Sequence, residues 1–367
     1  MSTVNQHPTG DIDRLTGVLR THYDLHAQEI TRLRIGQGTL NYRVTTAEQT
    51  VFVKHYPPGT DLDAERAGIA MSCLAGRAGV PVASPRASAG GAVLADQDGV
   101  AVSVWDFVPG ATITGGFTRA QLIATGMALG RVHRAFAQQP ARSEVSETGE
   151  WLAFDPGPAL ATVDTLLGTV AQRRRGGLAE EFDAAAERSL IQRRDQLPRV
   201  AGLLAGLPEL SSQVLHGDYS AVNLLFDGDR LTAVLDFCPP EAFLVAWELG
   251  RIAFDPRTVV LDPGWLDSAQ VLVAAYLTEN PPVWPADIAC CGRVALIQLI
   301  RSLYGVTQHY QGHGLLQDDL DRFWLLRHQA ATTLLAHLST AEAALGELSA
   351  QTRPPTVAGL GASGDPR

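Results

Sequence analysis

The stretch LHGDYSAVNLLFDGDRLTAVLDF, residues 215–237, is the most informative part of the sequence. Its apolar runs flank a polar loop and a Gly-Asp turn, which predicts strands inside a region where helical patterns otherwise dominate. The loop carries Asp218 and Asn223 five positions apart, and a second apolar run ends in Asp236, thirteen residues after Asn223. Carboxylate and carboxamide oxygens suit magnesium, and one carboxylate remains for proton transfer. The pattern therefore predicts a catalytic loop beside a magnesium site.

The spacing H-x-D-x-x-x-x-N, followed by an apolar residue and Asp-Phe, resembles the catalytic loop and metal-binding segment of protein-kinase-like phosphotransferases. It is most similar to the aminoglycoside phosphotransferase and choline kinase group, whose loops read H-G-D-x-x-x-x-N. The resemblance spans roughly residues 30–340 and is sharpest in this stretch. It implies an α+β, protein-kinase-like two-lobed fold, with a small antiparallel-sheet N-lobe that contains one key helix and a larger, mainly helical C-lobe.

The resemblance also implies a role for each polar residue of the stretch. Asp218 is expected to be the catalytic base that orients and deprotonates a substrate hydroxyl. Asn223 and Asp236 are expected to bind magnesium, and His216 is expected to support the loop. Cys238 stands where protein kinases have a glycine after Asp-Phe, a departure that is common among small-molecule kinases of this group.

Patterns in the first third of the chain agree with a small sheet and its helices. Helical spacing of apolar residues predicts helices at 11–25 and 61–79. Short runs rich in β-branched and aromatic residues predict strands at 30–35, 41–46, 50–56, 92–96 and 99–108.

Lys54, in the strand VFVKHY (51–56), is the only lysine among the 29 lysines and arginines of the chain. A lysine provides a compact ammonium charge that the planar guanidinium of arginine does not reproduce. Glu65 lies eleven residues later in the predicted helix. The resemblance implies that Glu65 pairs with Lys54 and directs its ammonium group toward the α- and β-phosphates of a nucleotide.

Two further segments are expected to contact the nucleotide. Gly36 and Gly38 lie between two predicted strands and would let the backbone approach the phosphates closely, although Asn41 takes the place of a third glycine. The segment VSVWDFVPG (102–110) resembles the linker between the lobes. The purine contact is expected at Asp106, Phe107 and Val108.

We predict an N-lobe over residues 1–108, a C-lobe over 109–350 and a disordered tail over 351–367. The tail is rich in Pro and Gly and has no periodicity. Helical patterns in the C-lobe occur near 118–139, 159–206, 264–279, 285–310 and 317–348.

The composition indicates a globular protein and argues against a nucleic-acid partner. Hydrophobic residues make up 46%, charged residues 19%, and the net charge is -10, whereas nucleic-acid binders usually carry a basic face. The chain has no basic segment followed by an apolar run at its start and no long apolar run elsewhere, so we expect a soluble cytoplasmic protein without a membrane partner. The pattern leaves the oligomeric state open.

These features predict an enzyme that moves the γ-phosphate of ATP or GTP, with Mg2+, to a hydroxyl group of a small molecule. An antibiotic or related natural product is the favoured acceptor, and a metabolite such as homoserine, choline or a sugar is the alternative. A non-catalytic nucleotide-binding module is a further alternative.

The segment EAFLVAWELGRIAFDP (241–256) resembles the family's segment after the metal-binding Asp, in which an acidic residue packs back on the catalytic loop, and Glu248 would take that place. A helix-surface carboxylate explains Glu248 nearly as well. Asp318, Asp319 and Asp321 would suit a cationic sugar, but a helix N-terminus favours acidic residues for dipole reasons alone, so Glu248 and this cluster are left without an assigned role.

Overall fold

An antiparallel sheet forms the first part of the chain in the computed structural model, which describes residues 9–36, 38–97, 99–143, 147–312 and 317–351. The elements of this lobe are α1 (Thr9–Tyr23), β1 (Glu29–Leu33), β2 (Leu40–Thr45), β3 (Thr50–Tyr56), α2 (Leu62–Arg77), β4 (Pro85–Arg86), β5 (Ala95–Gln97) and β6 (Val100–Asp106). The strands lie in the order β1-β2-β3-β6-β4, and β5 also pairs with β6.

Strand alternation decides which face of this sheet carries Lys54. Val51 and Val53 of β3 are fully buried and join a core to which α1 contributes Leu15 and Leu19. Because successive side chains of a strand point to opposite faces, Lys54 projects from the face opposite this core. That face is directed toward the second lobe, where the ion-pair partner of Lys54 lies.

The second lobe is mainly helical and contains short strand pairs. Its helices are α3 (Arg119–Phe136), α4 (Thr148–Leu152), α5 (Pro156–Arg175), α6 (Glu181–Gln196), α7 (Arg199–Ala205), α8 (Val245–Ala253), α9 (Pro256–Leu261), α10 (Trp265–Glu279), α11 (Pro285–Arg301), α12 (Tyr304–Gln311) and α13 (Gln317–Gln351). Its strands are β7 (Ser212–Val214), β8 (Leu224–Asp227), β9 (Arg230–Val234) and β10 (Ala242–Leu244). The antiparallel pairs β8–β9 and β7–β10 frame the catalytic stretch.

Helix α2 connects the two lobes, since its buried side chains Met71 and Ala75 belong to the core of the second lobe. A Cβ atom at Gly68 of this helix would lie 2.5 Å from the Phe237 carbonyl oxygen. Glycine therefore lets α2 approach the segment that follows Asp236. The Val234 N–H also donates to Pro81 O at 2.8 Å, just beyond α2.

The structure agrees with the predicted antiparallel-sheet first lobe and helical second lobe, and it corrects two predicted helices. The pattern over 159–206 becomes three helices, and the helix predicted at 285–310 ends at Arg301 before α12 begins at Tyr304. Buried Arg193 stabilises this second break, because its Nη1 donates to the carbonyl oxygens of Ile300 at 2.7 Å and Ser302 at 3.3 Å.

The predicted boundaries of the N-lobe, the C-lobe and the tail are compatible with these elements but stay predictions. Strand β6 ends at Asp106, and by Ala111 the chain is already bridged to Phe226 of the second lobe. Residue Gln351 belongs to α13, while residues 352–367 of the predicted tail lie outside the described residues. Within the described ranges, every helix is too short or too polar to cross a membrane.

Candidate active site

The catalytic loop is held by a carboxylate from α8. Glu248 is fully buried and accepts hydrogen bonds from the backbone N–H groups of His216 at 3.0 Å and Gly217 at 2.7 Å. It is also 3.0 Å from His133 Nε2. Burial alone would raise the pKa of Glu248, but the hydrogen bond and charge of His133, with smaller contributions from His216, outweigh burial and lower it. The loop backbone is thus anchored to an ionised buried side chain.

His216 bridges the two halves of the catalytic stretch. Its Nδ1 accepts from the Asp218 N–H at 3.2 Å, so its Nε2 carries the proton and donates to Leu235 O at 2.9 Å. Burial is the main cause that lowers the pKa of His216, which agrees with a neutral imidazole. The supporting role expected for His216 therefore has a geometric basis: it ties Asp218 to the residue preceding Asp236.

Both carboxylate oxygens of Asp218 have partners. Oδ1 lies 2.5 Å from Arg251 Nη2, and Oδ2 accepts from Asn223 Nδ2 at 2.8 Å. A carboxylate offers about four lone-pair positions, so these contacts leave room for a substrate hydroxyl. They also fix the side-chain orientation, which is what a general base requires.

The oxygen atoms of Asn223 and Asp236 fit a magnesium site. Asn223 Nδ2 donates to Asp218 O at 2.9 Å as well as to the carboxylate, so its carboxamide oxygen is the atom left for a metal. The described part of the chain contains no cluster of three or more His, Cys, Asp or Glu side chains that could hold a metal. Two protein oxygens completed by phosphates and water are a usual arrangement for magnesium.

Asp236 adopts an unusual backbone conformation and contacts the lone lysine. Its φ of 56° lies in the left-handed region, a conformation shared by only one other non-glycine residue in the described ranges, Asp24. Such conformations cost energy and persist where the surrounding structure imposes them, often at functional sites. The Asp236 carboxylate forms an ion pair with Lys54 Nζ from β3. Residues of both lobes therefore meet at this point.

Glu65 lies near this ion pair, but the structure pairs Lys54 with Asp236. Burial is the main cause that raises the pKa of Glu65, while the charge of Lys54 and a hydrogen bond with Tyr56 oppose the increase. Glu65 is thus an electrostatic neighbour of Lys54 and a hydrogen-bond partner of Tyr56. The Lys54–Glu65 pair stays a prediction.

The predicted phosphate-covering turn lies directly beside Lys54. Gly36 and Gly38 have φ values of 72° and 84°, which side chains other than glycine rarely adopt. Asn41 is buried and donates to Ile35 O at 2.8 Å, and it pairs across the sheet with Lys54. The residue at the third glycine position therefore stabilises the turn through its side chain.

The predicted purine-binding linker follows β6. The Asp106 N–H donates to Ser84 O at 2.9 Å, and its carboxylate pairs with Arg86 at 2.7 Å. Asp106 is therefore engaged within the first lobe. The purine contact at Asp106, Phe107 and Val108 stays a prediction, and the N–H of Asp106 is already used within the lobe.

Sequence reasoning offered Glu248 as a residue that packs on the loop but did not include it among the expected site residues, and it missed Arg251. The available signal was the placement of Glu248 inside the apolar run FLVAWELG, which disfavours a surface carboxylate. Arg251 follows three positions later, so on a helix both side chains face one side. Arg251 also lies over the Trp247 ring, 5.5 Å from its centroid.

Replacement of Glu248 with Gln is expected to reduce the free energy of unfolding by about 3 kcal/mol, because a carboxamide cannot accept from all the buried donors that Glu248 now satisfies. It should also lower kcat roughly 10- to 100-fold through a displaced Asp218. Urea unfolding and steady-state kinetics measure both effects. Glu209→Gln, at an exposed position, is the matched control. Wild-type stability and kcat in Glu248→Gln would show that the anchor is dispensable.

Comparison with known proteins agrees with this geometry. No curated protein sequence matches the chain. A spectinomycin phosphotransferase, APH(9)-Ia, in complex with ADP and spectinomycin is similar with a TM-score of 0.59 and 13% identity, over 88% of this chain and 98% of that chain. The amicoumacin kinase hAmiN in complex with AMP-PNP, Ca2+ and Ami is similar with a TM-score of 0.59 and 14% identity, over 88% of this chain and 93% of that chain. A microcompartment-associated aminopropanol kinase is similar with a TM-score of 0.56 and 16% identity, over 90% of this chain and 99% of that chain.

These likenesses confirm the predicted protein-kinase-like two-lobed fold. The model of the phosphotransferase enzyme family, APH, matches residues 29–269, which include Lys54, the catalytic loop and Asp236. Because this match covers more than half of the chain, the family resemblance and the prediction of a small-molecule phosphotransferase are confirmed, and the chain belongs to the phosphotransferase enzyme family, APH.

Proposed function

We propose that the protein is a magnesium-dependent O-phosphotransferase that moves the γ-phosphate of ATP or GTP to a hydroxyl group of a small molecule. This proposal is supported mainly by the ion pair between Lys54 of the sheet and Asp236 of the second lobe. Asp218 and Asn223, which are hydrogen-bonded to each other, belong to the same site. A cation, a hydrogen-bonded carboxylate and two oxygen ligands are the groups that phosphoryl transfer requires.

The first lobe would bind the nucleotide. Lys54 would contact the α- and β-phosphates, with Glu65 as its neighbouring carboxylate, and the turn at Gly36 and Gly38 would cover the phosphates. Asp106, Phe107 and Val108 would offer backbone groups to the purine. Since backbone groups would read the purine, the proposal includes both ATP and GTP.

The second lobe would carry out the transfer. Asn223 and Asp236 would hold magnesium, which neutralises the charge on the phosphates when it is bound. Asp218 would orient the acceptor hydroxyl and accept its proton. The acceptor oxygen forms a bond to the γ-phosphorus while the bond from that phosphorus to the β–γ bridging oxygen breaks, and the nucleoside diphosphate leaves. Catalysis in this scheme depends mainly on positioning.

We propose an antibiotic or related natural product as the acceptor. Two of the similar structures are a spectinomycin phosphotransferase and an amicoumacin kinase, which supports this acceptor class. The aminopropanol kinase supports the alternative of a small metabolite. Phosphorylation of an antibiotic would correspond to resistance or self-protection.

An acceptor screen tests the proposed function. Purified protein is incubated with ATP or GTP, with and without magnesium, against hydroxylated antibiotics and metabolites, and ADP or GDP release is measured. We expect magnesium-dependent release with at least one acceptor, and phosphate attached to a hydroxyl oxygen by mass spectrometry and 31P NMR. Tight nucleotide binding without transfer to any acceptor would instead favour a non-catalytic module.

A further inference from the structure

Aromatic side chains form a continuous row in the second lobe that begins beside the proposed catalytic base. We call Trp247 of α8, Phe243 of β10 and Trp151 of α4 the aromatic row. The Phe243 ring contacts both of the others, with its centroid 5.3 Å from that of Trp247 and 6.0 Å from that of Trp151. Both contacts are edge-to-face, a geometry that aromatic pairs favour. The row therefore joins three elements of the second lobe.

Arg251 connects this row to the catalytic loop. Its Nη2 lies 2.5 Å from Asp218 Oδ1, and its Cζ lies over the Trp247 ring, 5.5 Å from the ring centroid. One guanidinium group thus separates the near end of the row from the carboxylate that would accept the proton of the acceptor hydroxyl. A ring that is joined to that hydroxyl by a short chain of atoms has the right length to span this separation.

The three rings of the row are only half-buried. By contrast, the core of the second lobe buries Phe136, Phe254 and Trp324 almost completely. Contiguous half-buried rings leave apolar surface in contact with water, and a ligand that covers such surface gains free energy from its burial. Because the row continues from Asp218, the apolar part of an acceptor is the ligand placed to cover it.

Guanidinium groups already lie over the rings at both ends of the row. At the near end this group is Arg251, and at the far end Arg301 Cζ lies 5.1 Å from the centroid of Trp151. Arg301 is fixed there, because its Nη1 donates to Trp151 O at 2.6 Å and its Cζ is 4.4 Å from the centroid of Phe154. At each end, a cationic acceptor such as choline would therefore meet a positive charge that already makes a cation–π contact.

The acidic residues that the sequence offered for a cationic sugar have partners within the chain. Asp319 forms an ion pair with Arg322, and Asp321 accepts from His309 at 2.8 Å and from Gln317 at 2.6 Å. These carboxylates are thus compensated locally and do not require a cationic acceptor.

We propose that the acceptor carries an aromatic ring without a positive charge, and that this ring packs on the aromatic row while the acceptor hydroxyl lies at Asp218. This inference rests on the proposed function and narrows its acceptor class. Aromatic rings pack on one another edge to face or offset-stacked, and a guanidinium plane stacks on them as well. A saturated ring of similar size would gain from the apolar area but not from these contacts.

Binding of ring-bearing alcohols tests the row without knowledge of the natural acceptor. The probes are naphthalenemethanol, its fully saturated counterpart, and naphthalenemethanol with a trimethylammonium group on the ring. The protein is saturated with ADP and magnesium so that the nucleotide site is filled, and ligand-observed NMR titration gives each dissociation constant. We expect wild-type protein to bind the uncharged aromatic alcohol about 3- to 10-fold more tightly than either of the other two.

Two substitutions of Trp247 locate the binding surface. Leucine keeps an apolar side chain but has no ring, so Trp247→Leu should bind the aromatic alcohol about 3- to 10-fold more weakly and lose the preference over the saturated alcohol. Trp247→Phe restores a ring and should restore most of the preference, which guards against a folding failure. Trp284→Leu is the matched control, because Trp284 is 47% exposed and lies outside the row, and it should bind the probes like wild type.

Two results would overturn the inference. One is equal or tighter binding of the saturated or the cationic alcohol by wild-type protein. The other is an unchanged preference for the aromatic alcohol in Trp247→Leu, since a purely structural role of Trp247 would lower the unfolding midpoint without changing the ratio of the affinities.

Acceptors found in the screen provide the second measurement. For an aromatic acceptor, Trp247→Leu should raise KM about tenfold and lower kcat by less, while KM for the nucleotide stays unchanged. Acceptors without an aromatic ring, phosphorylated with KM values that Trp247→Leu does not change, would overturn the inference and leave the proposed function intact. Failure of every acceptor, aromatic or not, to give nucleoside diphosphate would instead count against the proposed function.

Discussion

Replacement of Asp218 with Asn is expected to lower kcat by about 100- to 10,000-fold while nucleotide affinity stays unchanged. The carboxamide keeps the shape of the side chain and can still accept from Asn223, but it cannot take the proton of the acceptor hydroxyl. It also loses the charge that pairs with Arg251. ADP release with an accepted substrate and calorimetric titration with an ATP analogue measure the two quantities separately.

Asp227→Asn is the matched control for this experiment. Asp227 lies in the same stretch, 215–237, but its side chain is exposed and pairs with the exposed Arg230. We expect wild-type kinetics from this variant, since exposed pairs contribute little. If Asp218→Asn turned over acceptor nearly as fast as wild type, Asp218 would not be the base.

Asp236→Asn is expected to have the second large effect, a loss of roughly 1000-fold in kcat at ordinary magnesium concentrations. The substitution removes a charged oxygen ligand and the ion-pair partner of Lys54. We expect a magnesium requirement shifted to at least about tenfold higher concentration, because loss of an outer-shell contact alone costs about 10- to 100-fold in metal affinity. Titration of activity against magnesium measures this shift.

A change in the magnesium dependence of activity distinguishes a metal ligand from a residue that only positions Lys54. If Asp236→Asn weakened nucleotide binding but kept the wild-type dependence on magnesium, the ligand role would be wrong. Asp227→Asn again controls for the loss of a carboxylate in the same stretch, and it should leave the magnesium dependence unchanged.

Local patterns were sufficient to predict the framework of the site. The strand alternation around Lys54, the loop from His216 to Asn223 and the strand that ends before Asp236 are short-range features, and the structure contains each of them. The break after Arg301 was not predictable in this way. It is stabilised by Arg193, which comes from a helix more than a hundred positions earlier in the chain.

Glu248 illustrates the same difference at the site itself. The sequence is compatible with both a helix-surface carboxylate and one that packs on the catalytic loop, and the packing of α8 against the loop shows that Glu248 accepts from His216 and Gly217. The position of Cys238 was likewise not readable from the sequence. A Cβ atom on Gly217 would lie 2.5 Å from the Cβ atom of Cys238, so the residue that replaces the kinase glycine packs on the catalytic loop.

Residue types and their spacing along one loop or strand were sufficient to identify the family and to predict Lys54, Asp218, Asn223 and Asp236 as site residues. Which charges meet depends on the three-dimensional packing of distant segments. This packing pairs Lys54 with Asp236 and sets Arg251 against Asp218. The electrostatic energy of two charges depends on the distance between them and on their burial. For residues far apart in the chain, the linear sequence gives neither quantity.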